Sequence, residues 1–209
     1  MPIPYDPSCF NVASVAHAKA IILTPDESTT DERWAQETPY LGALIEEHLG
    51  VRPRHRVLDY GCGIGRLSKE LIERCGCSVV GVDTSLNMRA LAPTYVRDDR
   101  FLSCPPAMLS SVADFHFAVS VWVLQHVLEV EAALDEIRRH LHPEGRLFVV
   151  NTNNRYVPVA GGNWADDGKD VRDLLGARFN EIAYGRLDPA QTSRIMSHEA
   201  FWGVYQRRT

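Results

Sequence analysis

Two short apolar runs, each closed by an acidic residue, constrain this chain more than any other feature. Val57-Leu58 ends in Asp59, and Gly61, Gly63 and Gly65 follow at alternate positions. Further on, Val79-Val80-Gly81-Val82 ends in Asp83, close to the spacing of about 20 residues at which an acidic strand end meets a ribose in nucleotide-binding βαβ units. Apolar runs bounded by turn residues read as buried strands. Alternating glycines let the chain turn sharply and let a ligand approach bare backbone. The pair predicts a nucleoside-containing cofactor.

The dinucleotide fingerprint fails here. It needs a glycine three residues after the second of its pair, where helix and strand pack closely. Counted from Gly61 and Gly63, that position is Arg66. An acid at Asp59 would also repel a pyrophosphate, whereas a cofactor carrying an ammonium would welcome it. S-adenosylmethionine has an ammonium, a sulfonium, a ribose diol and an adenine. The segments VLDYGCGIGRLSKEL, VVGVDTSLNM, FAVSVWVLQHV and LHPEGRLFVV stand in that order. They resemble the first two motifs and the fourth and fifth strands of class I S-adenosylmethionine-dependent methyltransferases. The resemblance is close over Arg54–Asn151 and looser toward the C-terminus.

It implies an α/β, Rossmann-like fold: a seven-stranded, mostly parallel sheet with helices on both faces and an N-terminal helical lid. Residues 1–50 are expected to form the lid and residues 51–209 the cofactor-binding domain. Strands are predicted over Arg56–Asp59, Val79–Val82, Arg100–Ser103, Phe117–Trp122 and Arg146–Thr152, with a turn at Pro143-Glu144-Gly145. Two closing strands are predicted over Ile182–Leu187 and Ala200–Arg207. Helical periodicity covers a piece near Val12–Ile22, then Asp31–Leu49 with a break near Thr38 forced by Pro39. Further helices are expected over Arg66–Cys75, Ser85–Leu91, Glu131–His142 and Val171–Phe179, and Asn153–Asp166 reads as irregular and polar.

The resemblance also distributes roles. Asp59 is expected near the cofactor's ammonium, through water or its backbone oxygen. Gly61, Gly63 and Gly65 bring the loop against the methionyl and ribose portions, and Asp83 takes both ribose hydroxyls. Thr84 belongs to the same site, although Thr84 and Ser85 equally suit a helix cap. Leu86 or Met88 packs on the adenine or fills core. Many relatives carry an acid after the third strand. This chain has Ser103–Met108 there without one, so the backbone of Ala107 or Met108 is expected at the adenine edge. Ser120 and Trp122 end the fourth strand, where open α/β sheets bind ligands, and Trp122 either lines the cofactor pocket or fills core. Tyr5, Arg33, Trp34 and Tyr40 supply cationic and aromatic groups from the lid, Arg33 toward the methionyl carboxylate or Trp34 as a structural anchor. The loop Gly161–Trp164 is expected as the opposite wall.

Methyl transfer from a sulfonium is a displacement that needs alignment, exclusion of water and, for some acceptors, a base. His126, just past the fourth strand, is the candidate catalytic base; its other reading is a residue of the following turn. Asn151–Asn154 ends the fifth strand and suits either a substrate contact or turn chemistry. The sequence lacks the Asn-Pro-Pro-aromatic motif of amide and adenine-N6 methylation.

Composition limits the partners. The 209 residues carry a formal charge of −5, which gives no global pull toward nucleic acid or anionic membrane. The sequence has neither a bilayer-length apolar run nor a signal-peptide layout, so cytoplasmic residence is expected. The five cysteines show no metal-ligand spacing and are read as reduced thiols, with no metal site. The expected function is methyl transfer from S-adenosylmethionine to oxygen or nitrogen of a small-molecule acceptor. The alternative is a non-catalytic module that binds S-adenosylmethionine or S-adenosylhomocysteine. An apolar face on the N-terminal helices leaves an oligomer open.

Overall fold

The computed structural model describes residues 3–112 and 114–208. Its helices are α1 (Val15–Ile22), α2 (Thr30–Leu49), α3 (Arg66–Cys75), α4 (Leu86–Val96), α5 (Val130–His140), α6 (Val171–Arg178) and α7 (Arg194–Glu199). The strands are β1 (Arg56–Tyr60), β2 (Ser78–Val82), β3 (Phe101–Cys104), β4 (Phe115–Val121), β5 (Leu141–Thr152), β6 (Val157–Val159), β7 (Asn163–Ala165), β8 (Phe179–Gly185) and β9 (Ala200–Arg207).

A seven-stranded sheet runs in the order β3-β2-β1-β4-β5-β9-β8, and β6 and β7 form a separate hairpin. Strands β1 to β5 pair in parallel, whereas β9 is antiparallel to both β5 and β8. The order reverses between β1 and β4, so the crevice beyond their C-terminal ends is the topological switch point where such sheets bind ligands. Alternate residues feed two cores. Val57, Val79 and Phe148 pack with α2 and α3 on one face, and Leu58, Val80 and Val149 with α5 and α6 on the other. Burial on both faces explains why these strands read as unbroken apolar runs.

Helix α2 corrects an expectation. Pro39 lies inside it, yet the helix is continuous. A proline removes one amide donor and strains the preceding turn, by about 3 kcal/mol in an exposed helix. Here Trp34, Leu41, Ile45 and Leu49 are buried, and packing of that face holds the helix across the proline. The start is fixed by a capping box: Thr29 Oγ1 accepts from the Glu32 amide at 3.2 Å and Glu32 Oε2 accepts from the Thr29 amide at 2.9 Å. Gly50 ends the helix in the left-handed conformation. Thr29→Ala is expected to lower the unfolding free energy by about 1 kcal/mol in urea titration. An unchanged midpoint would show that the cap carries no stability.

Other boundaries moved too: the strand expected over Ile182–Leu187 runs as β8 over Phe179–Gly185, where Phe179 is buried and pairs with Arg207. Helix α4 runs past Leu91 and through Pro93 to Val96 because Ala92 and Val96 are buried. Residues 142–145 do not break β5. They are absorbed as a register shift between the Phe115–Leu141 and Phe117–Arg146 pairs. The polar stretch after β5 holds the β6–β7 hairpin. Tyr5 forms a bridge to Val159, and the Asp6 amide donates to the Pro158 carbonyl at 3.0 Å. The N-terminal segment is thereby tied across the C-terminal ends of the strands. Among the described residues no helix is long and apolar enough to cross a membrane.

Candidate functional site

A cavity of about 420 Å³ opens at the switch point, within the size range of small-molecule sites. It runs from Asp83 and Thr84 beyond β2, across Gly61 and Gly63 beyond β1, to Trp122 and His126 beyond β4. Tyr5, Phe10, Arg33 and Trp164 border it from the N-terminal segment, α2 and the β6–β7 hairpin.

Of the proposed cofactor residues, Gly61, Gly63, Asp83, Thr84 and Trp122 border this cavity. Gly61 holds φ +80°, and a Cβ there would stand 2.4 Å from Val123 Cγ1. Its amide and that of Cys62 both donate to the Val82 carbonyl, which folds the loop back over β2. Asp83 is pinned from two sides. Its Oδ2 accepts from the Gly63 amide and its Oδ1 from the Ser85 amide, each at 2.8 Å. A carboxylate offers about four acceptor positions, so two remain for a ligand's hydroxyls. Burial pushes the Asp83 carboxyl above its usual range, opposed by those two amides and by Arg89. The Thr84 carbonyl accepts from Arg89 at 2.9 Å, and the cap of α4 is Ser85, whose Oγ accepts from the Met88 amide. Trp122 has φ +61°, a conformation that costs a non-glycine residue about 1–3 kcal/mol and collects at functional sites.

The remaining residues of that set stand outside the cavity wall. Asp59 lies behind the loop, buried, with Oδ2 accepting from Ser68 Oγ at 2.6 Å. Burial raises its carboxyl to about 6, against the opposing effects of Ser68 and Arg66. Gly65 is the N-cap of α3 at φ +84°. A Cβ there would meet Val96 Cγ2 at 2.5 Å, so the left-handed backbone and the packing against α4 by themselves require glycine. Ser120 is buried and donates to the Tyr60 carbonyl at 3.2 Å, joining the ends of β1 and β4. Ala107 and Met108 are solvent-exposed on a 3-10 helix, and it is Pro106, at the start of that helix, that reaches the cavity. Leu86 is exposed, whereas Met88 is buried and borders the cavity.

Arg66 fills the place of the missing third glycine. It is buried, and its guanidinium lies 5.4 Å from the centre of the Trp34 ring. Burial lowers its pKa to about 10. Trp34 donates to Tyr95 Oη at 3.1 Å, and Tyr40 Oη accepts from the Asp188 amide at 3.0 Å. Both anchor α2 to the body of the protein. Arg33 borders the cavity with Nε on Glu37 Oε1 at 2.7 Å and Nη1 on the Thr24 carbonyl at 2.6 Å. Among the described residues its Nη2 has no hydrogen-bond partner.

His126 sits on a 3-10 turn, Leu124–His126, immediately after β4. Its Nδ1 lies 2.7 Å from the Tyr156 carbonyl oxygen. A carbonyl can only accept, so Nδ1 carries the proton and Nε2 keeps a lone pair. Burial lowers the imidazole's pKa, opposed by the Tyr156 bond and reinforced by the charge of Arg155. What holds this turn is not legible in the sequence. Arg155, only 1% exposed, donates from Nη1 to the Leu124 carbonyl and from Nη2 to the Val127 carbonyl at 2.6 Å. Asp167 accepts from Arg155 Nε at 3.1 Å. The Tyr156 amide donates to the Gln125 carbonyl at 2.9 Å. Asn151 is structural too: its Oδ1 accepts from the Gln125 amide at 3.0 Å.

The five cysteines are free thiols. Among the described residues no group of three His, Cys, Asp or Glu side chains is arranged to hold a metal ion.

This geometry, a glycine loop and an acidic β2 end facing a histidine turn across the switch point, is that of a class I S-adenosylmethionine-dependent methyltransferase. Residues 20–196 match the methyltransferase-domain family, and the chain belongs to it. The methyltransferase GfsG of Streptomyces halstedii is 30% identical over 135 residues, 61% of this chain and 48% of that protein. The ubiquinone biosynthesis O-methyltransferase of Rhizobium johnstonii is 33% identical over 104 residues, 47% of this chain and 41% of that one. The chain thus spans less than half the length of these two curated relatives. The fold is shared with the Burkholderia thailandensis 1,6-didemethyltoxoflavin-N1-methyltransferase, solved with bound 1,6-didemethyltoxoflavin and S-adenosylhomocysteine. That likeness has a TM-score of 0.64 at 22% identity, over 86% of this chain and 83% of that one.

Proposed function

We propose that this protein transfers the methyl group of S-adenosylmethionine to an oxygen or nitrogen of a small-molecule acceptor, with His126 taking the acceptor's proton. The observation that carries this reading is the fixed tautomer of His126, with its Nδ1–H on Tyr156 and its Nε2 lone pair left over in a residue that borders the cavity. A non-catalytic binding module would have no use for such a base beside a cofactor loop.

The residues present fit the cofactor. Asp83 has two acceptor positions for a ribose diol, the loop at Gly61 and Gly63 offers bare backbone, and Arg33 Nη2 is available to the methionyl carboxylate. Asp59, behind the loop, acts on the ammonium through its field and not by contact. When bound, the cofactor supplies a methyl group activated by its sulfonium. The protein binds, orients, excludes water and removes the proton. Residues 1–50 serve as the cover through Tyr5, Phe10 and Arg33. Cytoplasmic residence and indifference to nucleic acid remain parts of this proposal and rest on charge and composition, and an oligomer through the apolar face of the N-terminal helices is compatible with it.

The test is His126→Asn, which keeps a donor toward the Tyr156 carbonyl and removes the base. Turnover should fall by about 10²–10⁴-fold, the usual range for general-base catalysis, while S-adenosylhomocysteine affinity stays within about threefold, less than 0.7 kcal/mol. Only the neutral imidazole accepts a proton, and burial has lowered its pKa. The wild-type rate should therefore hold at neutral pH and fall on an acid limb below about 6.5, the pKa of an unperturbed imidazole. Full turnover in the variant, or an unmoved acid limb, removes His126 as the base.

A further inference from the structure

The cavity is uneven along its length. The stretch over β1 and β2 presents backbone, a carboxylate and Met88. The stretch beyond β4 presents rings. Phe10, His126 and Trp164 form a three-ring corner, with centroids 5.8 Å apart for Phe10–His126, 5.0 Å for His126–Trp164 and 6.3 Å for Phe10–Trp164. Their planes are tilted by 58°, 45° and 60°, so they present both edges and faces. Trp164 is 48% exposed, a large apolar ring left uncovered at the cavity's border. Such a ring gains by covering, and offset or edge-to-face partners add about 0.5–1.5 kcal/mol beyond area burial.

Charge is distributed in the opposite sense. Among the described residues, the charged side chains that border the cavity are Asp26, Arg33 and Asp83. Arg33 is held by Glu37 and Asp26, at 2.7 and 3.4 Å, and Asp83 by two amides. The ring corner itself contributes neither a cation for a phosphate or carboxylate nor an acid for an ammonium. An unpaired charge taken out of water is opposed by several kcal/mol. Ring faces attract cations, but a cationic acceptor here would lie beside the cofactor's sulfonium, and an ammonium has no lone pair with which to attack.

We infer that the acceptor is an uncharged, flat aromatic molecule bearing a hydroxyl or a ring N–H, seated in the Phe10–His126–Trp164 corner. This rests on the methyltransferase reading above. The O–H or N–H bond of the acceptor breaks and its proton passes to His126 Nε2. The new O–C or N–C bond forms as the carbon–sulfur bond breaks, with the electron pair left on sulfur. Specificity is then set by ring stacking from Phe10 and Trp164, and a phosphorylated or carboxylated acceptor of the same size is rejected.

The test uses protein saturated with S-adenosylhomocysteine, titrated calorimetrically with 2-naphthol, 2-naphthyl phosphate, 2-naphthoic acid and 2-naphthylmethylammonium. The naphthol should bind at least about tenfold more tightly than any of the charged three. Phe10→Leu and Trp164→Leu should each weaken it by about three- to tenfold, the loss of one ring contact, and Trp164→Leu, outside the cofactor cover, should leave S-adenosylhomocysteine affinity unchanged. Equal or tighter binding of a charged probe overturns the inference, as does failure of all four probes on the loaded protein. Both of those results leave the methyltransferase reading standing. Failure to bind S-adenosylhomocysteine at all is the distinct result that defeats that reading and takes the inference with it.

Discussion

Asp83→Ala is expected to weaken S-adenosylhomocysteine binding by about 100-fold or more in calorimetric titration. Two ribose hydroxyls donating to a carboxylate are worth about 1.5–3 kcal/mol each, and each 1.4 kcal/mol is a factor of ten. The same variant also strips the Gly63 and Ser85 amides of their acceptor, so part of its loss reports a loosened loop. Asp83→Asn separates the two effects. It keeps the shape and one acceptor oxygen, but turns an NH₂ toward one of the two amides or toward the ribose. Its loss should be smaller, with thermal unfolding closer to wild type. The carboxyl's raised pKa in the free protein adds a second readout. A protonated Asp83 is a poorer acceptor, so affinity should fall as the pH is lowered toward and below that pKa. Binding should release protons in the same window. An alanine variant that unfolds like wild type and binds within about threefold of it would remove Asp83 from the ribose site.

That prediction was reachable from sequence because its parts are local. A short apolar strand, an acid at its end and glycines at alternate positions fix backbone geometry over a few residues, and tertiary packing did not override them. The strand pattern was legible for a related reason. Strands buried on both faces read as unbroken apolar runs, and β9 falls where its apolar run lies. Pro39 points to a break that is absent because local propensity is only one term, and burial of Leu41 and Ile45 outweighs it; burial of Ala92 and Val96 likewise carries α4 past Leu91. Helix α7 was missed although Ser193 caps it, because its six residues carry too little periodicity to register.

The histidine turn shows the opposite case. His126 was visible as a residue type in a plausible place, but nothing local specified its tautomer. That depends on the Tyr156 carbonyl, and Tyr156 is placed by a chain segment that reads as polar loop. The ring corner was equally hidden, since Phe10, His126 and Trp164 come from three separate segments. Arg155 is the clearest example. One arginine among 22 Lys and Arg reads as a solvated charge, and only the fold reveals that it is almost fully enclosed.

Enclosure gives Arg155 the largest expected effect outside the cavity wall. Among the described residues its hydrogen bonds go to Leu124, Val127 and Asp167 and not to the proposed base. Its guanidinium fork grips the carbonyls of Leu124 and Val127 on either side of His126, while Asp167 neutralises it. Burial disfavours a charged Asp167, yet hydrogen bonds from Arg155 and the Lys169 amide hold its carboxyl below the usual range. The folded-state pKa is depressed, so this contribution to stability is present above about pH 4, the usual aspartate value, and is lost as the pH falls through the folded pKa. Removing one partner of a buried pair costs about 3–5 kcal/mol. Arg155→Met is therefore expected to unfold at markedly lower temperature, and to lower kcat by about 10²-fold, since small misplacements of a catalytic group have effects of that size. Lowered stability and lowered kcat together would also follow from a merely structural role, so the decisive readout is the pH profile. The positive charge of Arg155 helps to depress the His126 pKa. Without it, the acid limb of the kcat profile should move to higher pH. Arg155→Lys keeps the charge and loses the fork, so its kcat should fall while its acid limb stays in place. If Arg155→Met does not fold, Asp167→Asn gives the converse test: with its counter-charge gone, Arg155 depresses the imidazole further and the limb moves to lower pH. Acid limbs that coincide with wild type in both Arg155→Met and Asp167→Asn would reduce the pair to scaffolding, and His126 would then need another explanation for its placement.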